Sequence, residues 1–349
     1  MKKIILLSAI AVVFWQCIRP TSSAPVNTPY QLACRIMFWN VENLFDCYND
    51  SLTNDEEFLP YGMRGWNYDR YRQKLSKTYK TMVAAGEWEP PDLIGLCEIE
   101  NKNVLYSLLR DTPFSYYNYR FVHYDSPDRR GIDVALLYNP ARVKIIEERV
   151  IPALLKVSGN SKTRDILYVR LILETGDTIS VFVNHWPSKY GGAGYTADLR
   201  ENVSEILQRN IREICVTNLK EKIVVMGDFN DPPESEAIRI LTAKAVSGQE
   251  IHPSLINMAA DYTGPISGSY KFEGAWQMID QMLVSENLIS GDEGVFVNDE
   301  SYRVFSPDFL LERDEKYGGM KPIRTYAGYV YHGGFSDHLP VVLDLFAGR

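Results

Sequence analysis

The sequence predicts an α+β fold in which mixed β-sheets are covered by helices, and three observations carry that reading. A β-branched apolar run at 223–226 has the length of a strand buried on both faces, and 92–99 reads as a second buried strand. From residue 119 onward, strands follow strands across hairpin-length gaps such as Thr175-Gly176-Asp177. Two stretches repeat apolar residues at helical spacing: Tyr71, Leu75, Tyr79, Met82 and Val83 in one, and Leu199, Val203, Ile206, Leu207, Ile211 and Ile214 in the other. No linker, repeat or low-complexity tract divides the chain, so one domain over residues 34–349 is expected.

With 45% hydrophobic and 23% charged residues, the composition is that of a soluble globular protein. The net charge of −8 supplies no global positive field for a polyanion, which argues against tight non-specific nucleic-acid binding. It leaves room for an enzyme whose bound cation is the local positive charge. Residues 1–24 read as a signal peptide: Lys2 and Lys3, an apolar run over 4–15, then the small residues Ser22-Ser23-Ala24. Cys17 offers the alternative of a lipoprotein signal, although Phe14-Trp15-Gln16 is bulky for one. The protein is therefore expected to be exported: periplasmic, extracellular, or outer-membrane-anchored if Cys17 is lipidated. Of the remaining cysteines, Cys97 and Cys215 sit in apolar contexts as buried thiols, and Cys34 with Cys47 is a candidate disulfide.

In order, residues 35–41 form a strand ending at Asn40, and 47–67 a long polar loop. A helix over 68–85 is stopped by Pro90-Pro91, and a buried strand over 92–99 carries Glu98 at its carboxyl end. A short helix near 103–109 leads to strands near 119–123, 132–138, 144–151, 166–173 and 179–185. In the last of these, Val181, Val183 and His185 share one face. Pro187 ends it, and Lys189-Tyr190-Gly191-Gly192 makes a cationic loop before the helix at 198–219. The next strand ends in Gly227-Asp228-Phe229-Asn230-Asp231. There the glycine permits a close turn, and two carboxylates and an amide suit a hard cation or a phosphoryl group. The same residues also fit an ordinary β-turn. Residues 270–284 read as an apolar strand enclosing Asp280, a carboxylate costly to bury without a partner. Asp337 and His338 lead into the final strand.

Taken together, Trp39-Asn40-Val41-Glu42-Asn43, Cys97-Glu98-Ile99, Asn184-His185-Trp186-Pro187, Gly227-Asp228-Phe229-Asn230, Ile279-Asp280 and Ser336-Asp337-His338-Leu339-Pro340 resemble the endonuclease/exonuclease/phosphatase superfamily, the deoxyribonuclease I-like proteins. The motifs occur in that family's order and span residues 36–345. The resemblance implies a four-layer α/β/β/α sandwich and metal-dependent hydrolysis of a phosphate ester. It implies Glu98 as the main metal ligand, Asp337 with it or at a neighbouring position, and Asn40 helping to hold the metal shell or the phosphate. Hard oxygen ligands point to Mg²⁺, with Mn²⁺ or Ca²⁺ as substitutes. The same likeness gives His338 the phosphate or a proton, paired through its imidazole to Asp280. Asp228 aligns or deprotonates the water, Asn230 donates to a non-bridging oxygen, and His185 stabilises the phosphate or the leaving oxygen. Asp133 is the candidate partner of His185, and Arg164 and Lys189 are candidate phosphate contacts.

The site does not name the ester, since the superfamily includes nucleases, inositol-phosphate phosphatases, sphingomyelinases and deadenylases. Export and a segment like that of secreted bacterial nucleases at 185–189 favour a nuclease acting on nucleic acid. The runner-up is a phosphatase or phosphodiesterase acting on a small molecule or lipid headgroup, and the reading from another class is a catalytically inactive binding relative. The sequence displays no basic stripe for duplex tracking, no cluster of aromatics for stacking single strands and no long apolar hairpin for membrane entry. No stable protein partner is evident, and a monomer is expected.

Overall fold

In the computed structural model, residues 30–153, 163–189, 193–243, 254–289, 291 and 294–348 are described. The expected signal peptide at 1–24, with Cys17, lies outside them, as do Tyr190, Gly191 and Gly192. In chain order the first strands are β1 (Tyr30–Leu44), β2 (Leu93–Ile99), β3 (Arg120–His123) and β4 (Asp133–Tyr138). Next come β5 (Val143–Ile151), β6 (Ile166–Leu173), β7 (Thr178–His185), β8 (Lys222–Asp228) and β9 (Leu255–Asn257). The remainder are β10 (Tyr270–Phe272), β11 (Ala275–Gln277), β12 (Asp280–Ser285), β13 (Val295–Phe296) and β14 (Tyr302–Val304), then β15 (Leu311–Arg313), β16 (Met320–Pro322), β17 (Tyr326–Ala327), β18 (Val330–Tyr331) and β19 (Val341–Gly348). The main helices are α1 (Tyr68–Ala85), α2 (Lys102–Arg110), α3 (Ala193–Thr217) and α4 (Glu236–Thr242).

Among the described residues, one sheet has seven strands in the order β13-β19-β1-β2-β4-β3, with β14 also on β19. The other has six, in the order β5-β6-β7-β8-β12-β9. Period-two alternation decides how they stack. Ile36 and Phe38 of β1 meet Val181, Val224 and Met226 of the second sheet in a shared core, so these faces pack against each other. Met37 and Trp39 point the other way, into a layer shared with Tyr71, Leu75 and Met82 of α1 and Leu105 and Leu108 of α2. On the far side, Ile223 and Val225 of β8 pack on Val203, Leu207 and Ile211 of α3 and Ile238 of α4. This is the α/β/β/α sandwich that the resemblance implies.

Local chemistry explains the boundaries. Asn67 caps α1 by accepting the Arg70 N–H, and Asn101 caps α2 by accepting the N–H groups of Asn103 and Val104. The strand read over 35–41 extends to Leu44 through a bulge, because Glu42 and Asn43 both take φ near +53° and shift the pairing with β2. The run at 270–284 divides in two: Glu273 and Gly274 adopt left-handed backbone (φ 48° and 86°) and turn β10 back on β11. Gly227 serves close approach more than a turn, since it lies inside β8 and a Cβ there would come within 2.6 Å of the Asn184 backbone oxygen. The candidate disulfide does not form, and Cys34 and Cys47 are both free. At about 3.3 Å per residue, β1 carries their ends roughly 30 Å apart, far beyond the reach of a disulfide.

Candidate active site

Topology collects the site. Parallel pairing of β1 with β2 and of β7 with β8 brings four carboxyl ends to one edge, with Asn40 opposite Cys97 and His185 opposite Asp228. Antiparallel β12 sets Asp280 opposite Asp228. The segment before β19 then crosses toward the second sheet, where His338 bridges to Tyr270 and its carbonyl accepts the Trp39 indole N–H. One cavity of about 640 Å³ is lined by Asn40, Glu98, His185, Asp228, Asn230, Asp337 and His338. Lys189, Arg130 and Tyr270 stand on the same wall.

The side built on the first sheet is strained and open. Glu98 sits at φ 62°, a left-handed conformation unusual for a side chain of its kind, where the β2–β4 register shifts. Its Oε2 accepts the Asn43 N–H at 2.8 Å, and Oε1 has no hydrogen-bond partner among the described residues. Asp337 gives Oδ2 to Arg324 Nη2 at 2.6 Å and likewise leaves Oδ1 unpartnered among the described residues. Behind them lies a buried network. Glu42 accepts the N–H groups of Thr325 and Tyr326, while Lys74 donates to the Thr325 hydroxyl and the Phe335 carbonyl. Burial and the charge of Asp337 push the Glu42 carboxyl up to about 7, and burial brings Lys74 down to about 8.

The side built on the second sheet is closed, and His338 is paired within it, although Asp280 Oδ1 is buried with no hydrogen-bond partner among the described residues. His338 Nδ1 lies 2.6 Å from Asp280 Oδ2, an arrangement that fixes the tautomer and leaves Nε2 toward Asp228 Oδ2 at 3.9 Å. Burial works against the charged ring, but Asp280, Asp228 and Asp337 together outweigh it and hold His338 well above the ordinary histidine value. His185 goes the opposite way. Burial, with Arg164 and Arg130 nearby, keeps it well below that value, so its ring is neutral. Its Nε2 lies 3.8 Å from Asp228 Oδ2, and its buried Nδ1 has no hydrogen-bond partner among the described residues. Burial and the neighbouring Asp280 raise Asp228 to about 7. Asn40 joins the two sides: its Nδ2 donates to Asp228 Oδ2 at 3.0 Å while its Oδ1 accepts the Glu42 N–H. Asn230, in left-handed backbone at φ 53°, donates its backbone N–H to Asp228 and its side-chain amide to the Trp186 carbonyl.

Two expected roles are corrected. Asp133 does not pair with His185: it accepts from the backbone and hydroxyl of Ser126, and its Oδ2 lies 3.2 Å from His123 Nε2. The antiparallel β3–β4 register, with His123 opposite Ala135, turns the carboxylate to that ring instead. Arg164 does not present its fork to a substrate. It is buried, donating Nη1 to Asp128 at 3.0 Å and Nη2 to the Trp186 carbonyl at 2.7 Å, and so clamps the 125–131 loop to the end of β7. Lys189 stays at the rim, exposed and 3.5 Å from Asp231. The residue missed in that loop is Arg130, which lines the cavity and stands beside the glycine that bends the chain there.

The donor set fits a hard cation. Two carboxylate oxygens without partners, Glu98 Oε1 and Asp337 Oδ1, belong to residues of one wall, and oxygen-rich sites with room for water suit small divalent ions. Asp228, Asp280 and His338 also approach one another closely enough to hold an ion. There the short hydrogen bond from the ring occupies His338 Nδ1 and Asp280 Oδ2, while Asp280 Oδ1 has no hydrogen-bond partner among the described residues.

A two-sheet sandwich with these residues at facing strand ends defines the deoxyribonuclease I-like class of phosphate-ester hydrolases. The chain belongs to the Endonuclease/Exonuclease/phosphatase family, whose model matches residues 35–346. Solved structures share the fold. An endonuclease/exonuclease/phosphatase family protein from Bacteroides thetaiotaomicron is 17% identical, over 91% of this chain and 96% of that one, with a TM-score of 0.58. A mannosyl-6-phosphatase from the same organism is 16% identical, over 89% and 99%, also at 0.58. The human Nocturnin catalytic domain is 15% identical, over 91% and 95%, at 0.55. No curated protein matches the sequence.

Proposed function

We propose that the protein is an exported, Mg²⁺-dependent nuclease that hydrolyses phosphodiester bonds by in-line attack of water. The observation that carries this reading is His338, held from behind by Asp280, lining the same cavity as Glu98 and Asp337. Glu98 and Asp337, with Asn40 beside them, would hold the cation, which supplies Lewis-acid polarisation of a phosphoryl oxygen. His338, kept cationic by its carboxylate partners, donates from Nε2 to a non-bridging oxygen. Asp228 lies within reach of the attacking water, and a carboxyl raised to about 7 is well matched to taking its proton near neutral pH. Asn230 donates its second side-chain N–H to the phosphate, and neutral His185 donates a hydrogen bond to the leaving oxygen, which takes its proton from solvent. Lys189 and Arg130 at the rim neutralise flanking phosphates. The transition state carries more negative charge than the ester, so donors already fixed in place bind it preferentially. The signal-like residues 1–24 support export.

The test is a substrate panel of single-stranded DNA, RNA, bis-p-nitrophenyl phosphate and p-nitrophenyl phosphate, each with Mg²⁺ or EDTA. Diester and nucleic-acid turnover that EDTA stops is the expected result. Turnover of the monoester alone would overturn the nuclease reading and assign a small-molecule phosphatase.

A further inference from the structure

The positive charge of this acidic chain is not spread evenly. Helix α1 carries Arg70, Arg72, Lys74, Lys77 and Lys80 against the single acid Asp69, within a protein of net charge −8. Arg70, Lys77 and Lys80 stand at i, i+7 and i+10, on one face. Among the described residues none of the three pairs with a carboxylate. Partial burial and the neighbouring Lys80 lower the Lys77 ammonium, a sign of cations crowded without counter-charge.

Tyr331 and Phe335 from the far end of the chain lie over this face, and Tyr329 lies over Arg64 just before the helix, itself ion-paired with Glu57 at 3.1 Å. The Arg70 guanidinium sits 4.3 Å from the Tyr331 ring centroid, Arg64 sits 5.4 Å from that of Tyr329, and Lys77 Nζ is 5.2 Å from Phe335. Tyr329 is 55% exposed at the tip of the β17–β18 hairpin, and Arg64 Nη1 donates to the Gly328 carbonyl beneath it. The hairpin is bolted to the catalytic wall. Arg324, just before it, ion-pairs with Asp337 at 2.6 Å, and Glu42, two residues after Asn40, accepts the N–H groups of Thr325 and Tyr326. Lys77 donates to the Gly333 carbonyl at its other end.

We propose that this surface, the Arg70–Lys77–Lys80 face of α1 with the tyrosines of the β17–β18 hairpin, binds single-stranded nucleic acid and leads it to the cavity. The proposal rests on the nuclease reading above and deepens it. Charge complementarity selects the occupant: cations without a carboxylate partner, though Arg70 and Lys77 also hold backbone carbonyls, track a phosphate backbone, and the exposed Tyr329 ring can stack a base that a duplex keeps to itself.

The experiment measures anisotropy of a labelled oligothymidylate of about 20 nucleotides in EDTA, alongside bis-p-nitrophenyl phosphate turnover in Mg²⁺. Tyr329→Ala and the Lys77→Gln/Lys80→Gln double variant should each weaken binding about tenfold. The double variant should also flatten the salt dependence by about 0.7 per cation removed. Small-diester turnover should not change in either. Oligonucleotide binding unaltered in both variants overturns the proposal. So does loss of binding in Tyr329→Ala alone when neutral mannan competes for the site, which would make the surface a glycan platform. Turnover of the small diester by a protein that does not bind the oligonucleotide defeats this surface and leaves the phosphodiesterase reading intact. Binding that depends on these residues, without turnover of any ester, does the reverse.

Discussion

The two sides of the cavity are built on opposite principles. On the first sheet, Glu98 and its neighbours Glu42 and Asn43 sit in left-handed backbone, at an estimated cost of about 1–3 kcal/mol each, and the carboxylates of Glu98 and Asp337 keep oxygens unpartnered. On the second sheet, regular strand ends hold Asp228, Asp280 and His185 almost wholly buried, and His338 is locked to Asp280 at 2.6 Å. The difference follows from the chemistry each side is suited to. A cation site needs free lone pairs and room for water, and the first side offers such oxygens on Glu98, in left-handed backbone, and on Asp337, in ordinary backbone. Proton transfer suits a fixed tautomer and a dry, polar surrounding, and the second side offers an enclosed His338 held by Asp280.

The largest effect should come from breaking the closed side. Asp280→Asn keeps the shape and removes the counter-charge of His338, so turnover should fall by about 10²–10⁴-fold while cation affinity holds. Steady-state kinetics beside a cation titration checks both. On the open side, Glu98→Gly should abolish activity without lowering the melting temperature, because glycine accepts φ 62° at no steric cost. A marked drop in thermal stability would show instead that the side chain holds the fold together.

A third, smaller difference separates the two histidines in metal-free buffer. His185 is depressed when folded, so lowering the pH through the unfolded value of about 6.5 protonates only the unfolded chain and stability falls. His338 is raised when folded, so its contribution is complete below that unfolded value and is lost as the pH rises through the folded one. Relative to the unsubstituted protein, His185→Gln should therefore fare better at pH 5.5 than at pH 8, and His338→Gln worse. Melting temperatures at both pH values would show parallel shifts if the two rings shared one environment. The smallest effect belongs to the thiols: Cys34→Ser should leave non-reducing mobility and melting temperature unchanged by reductant.

Much of this was legible because the chemistry ends strands. Asn40, Glu98 and Asp228 each follow an apolar run and the Asp337-His338 pair precedes one, and those runs fix where the tips must be. Helix α1 and strand β6 begin and end where periodicity puts them. What was not legible depends on contacts that local pattern does not encode. Arg164 reads as a free cation until Asp128 and the Trp186 carbonyl close around it. Asp133 turns to His123 because of a hairpin register, and Arg130 reaches the cavity only through the clamp on its loop. The cationic aromatic surface escaped notice for the same reason. Its lysines and arginines lie at 64–80 and its tyrosines at 329–331, and neither stretch alone is a nucleic-acid signature.

The division between the two sides is tested most directly by Mn²⁺ binding, followed by electron paramagnetic resonance, in the unsubstituted protein, Glu98→Gln and Asp280→Asn. The account predicts that Glu98→Gln loses the bound signal and that Asp280→Asn keeps it with an unchanged dissociation constant. Retention by the glutamine variant, or loss by the asparagine variant, would contradict it.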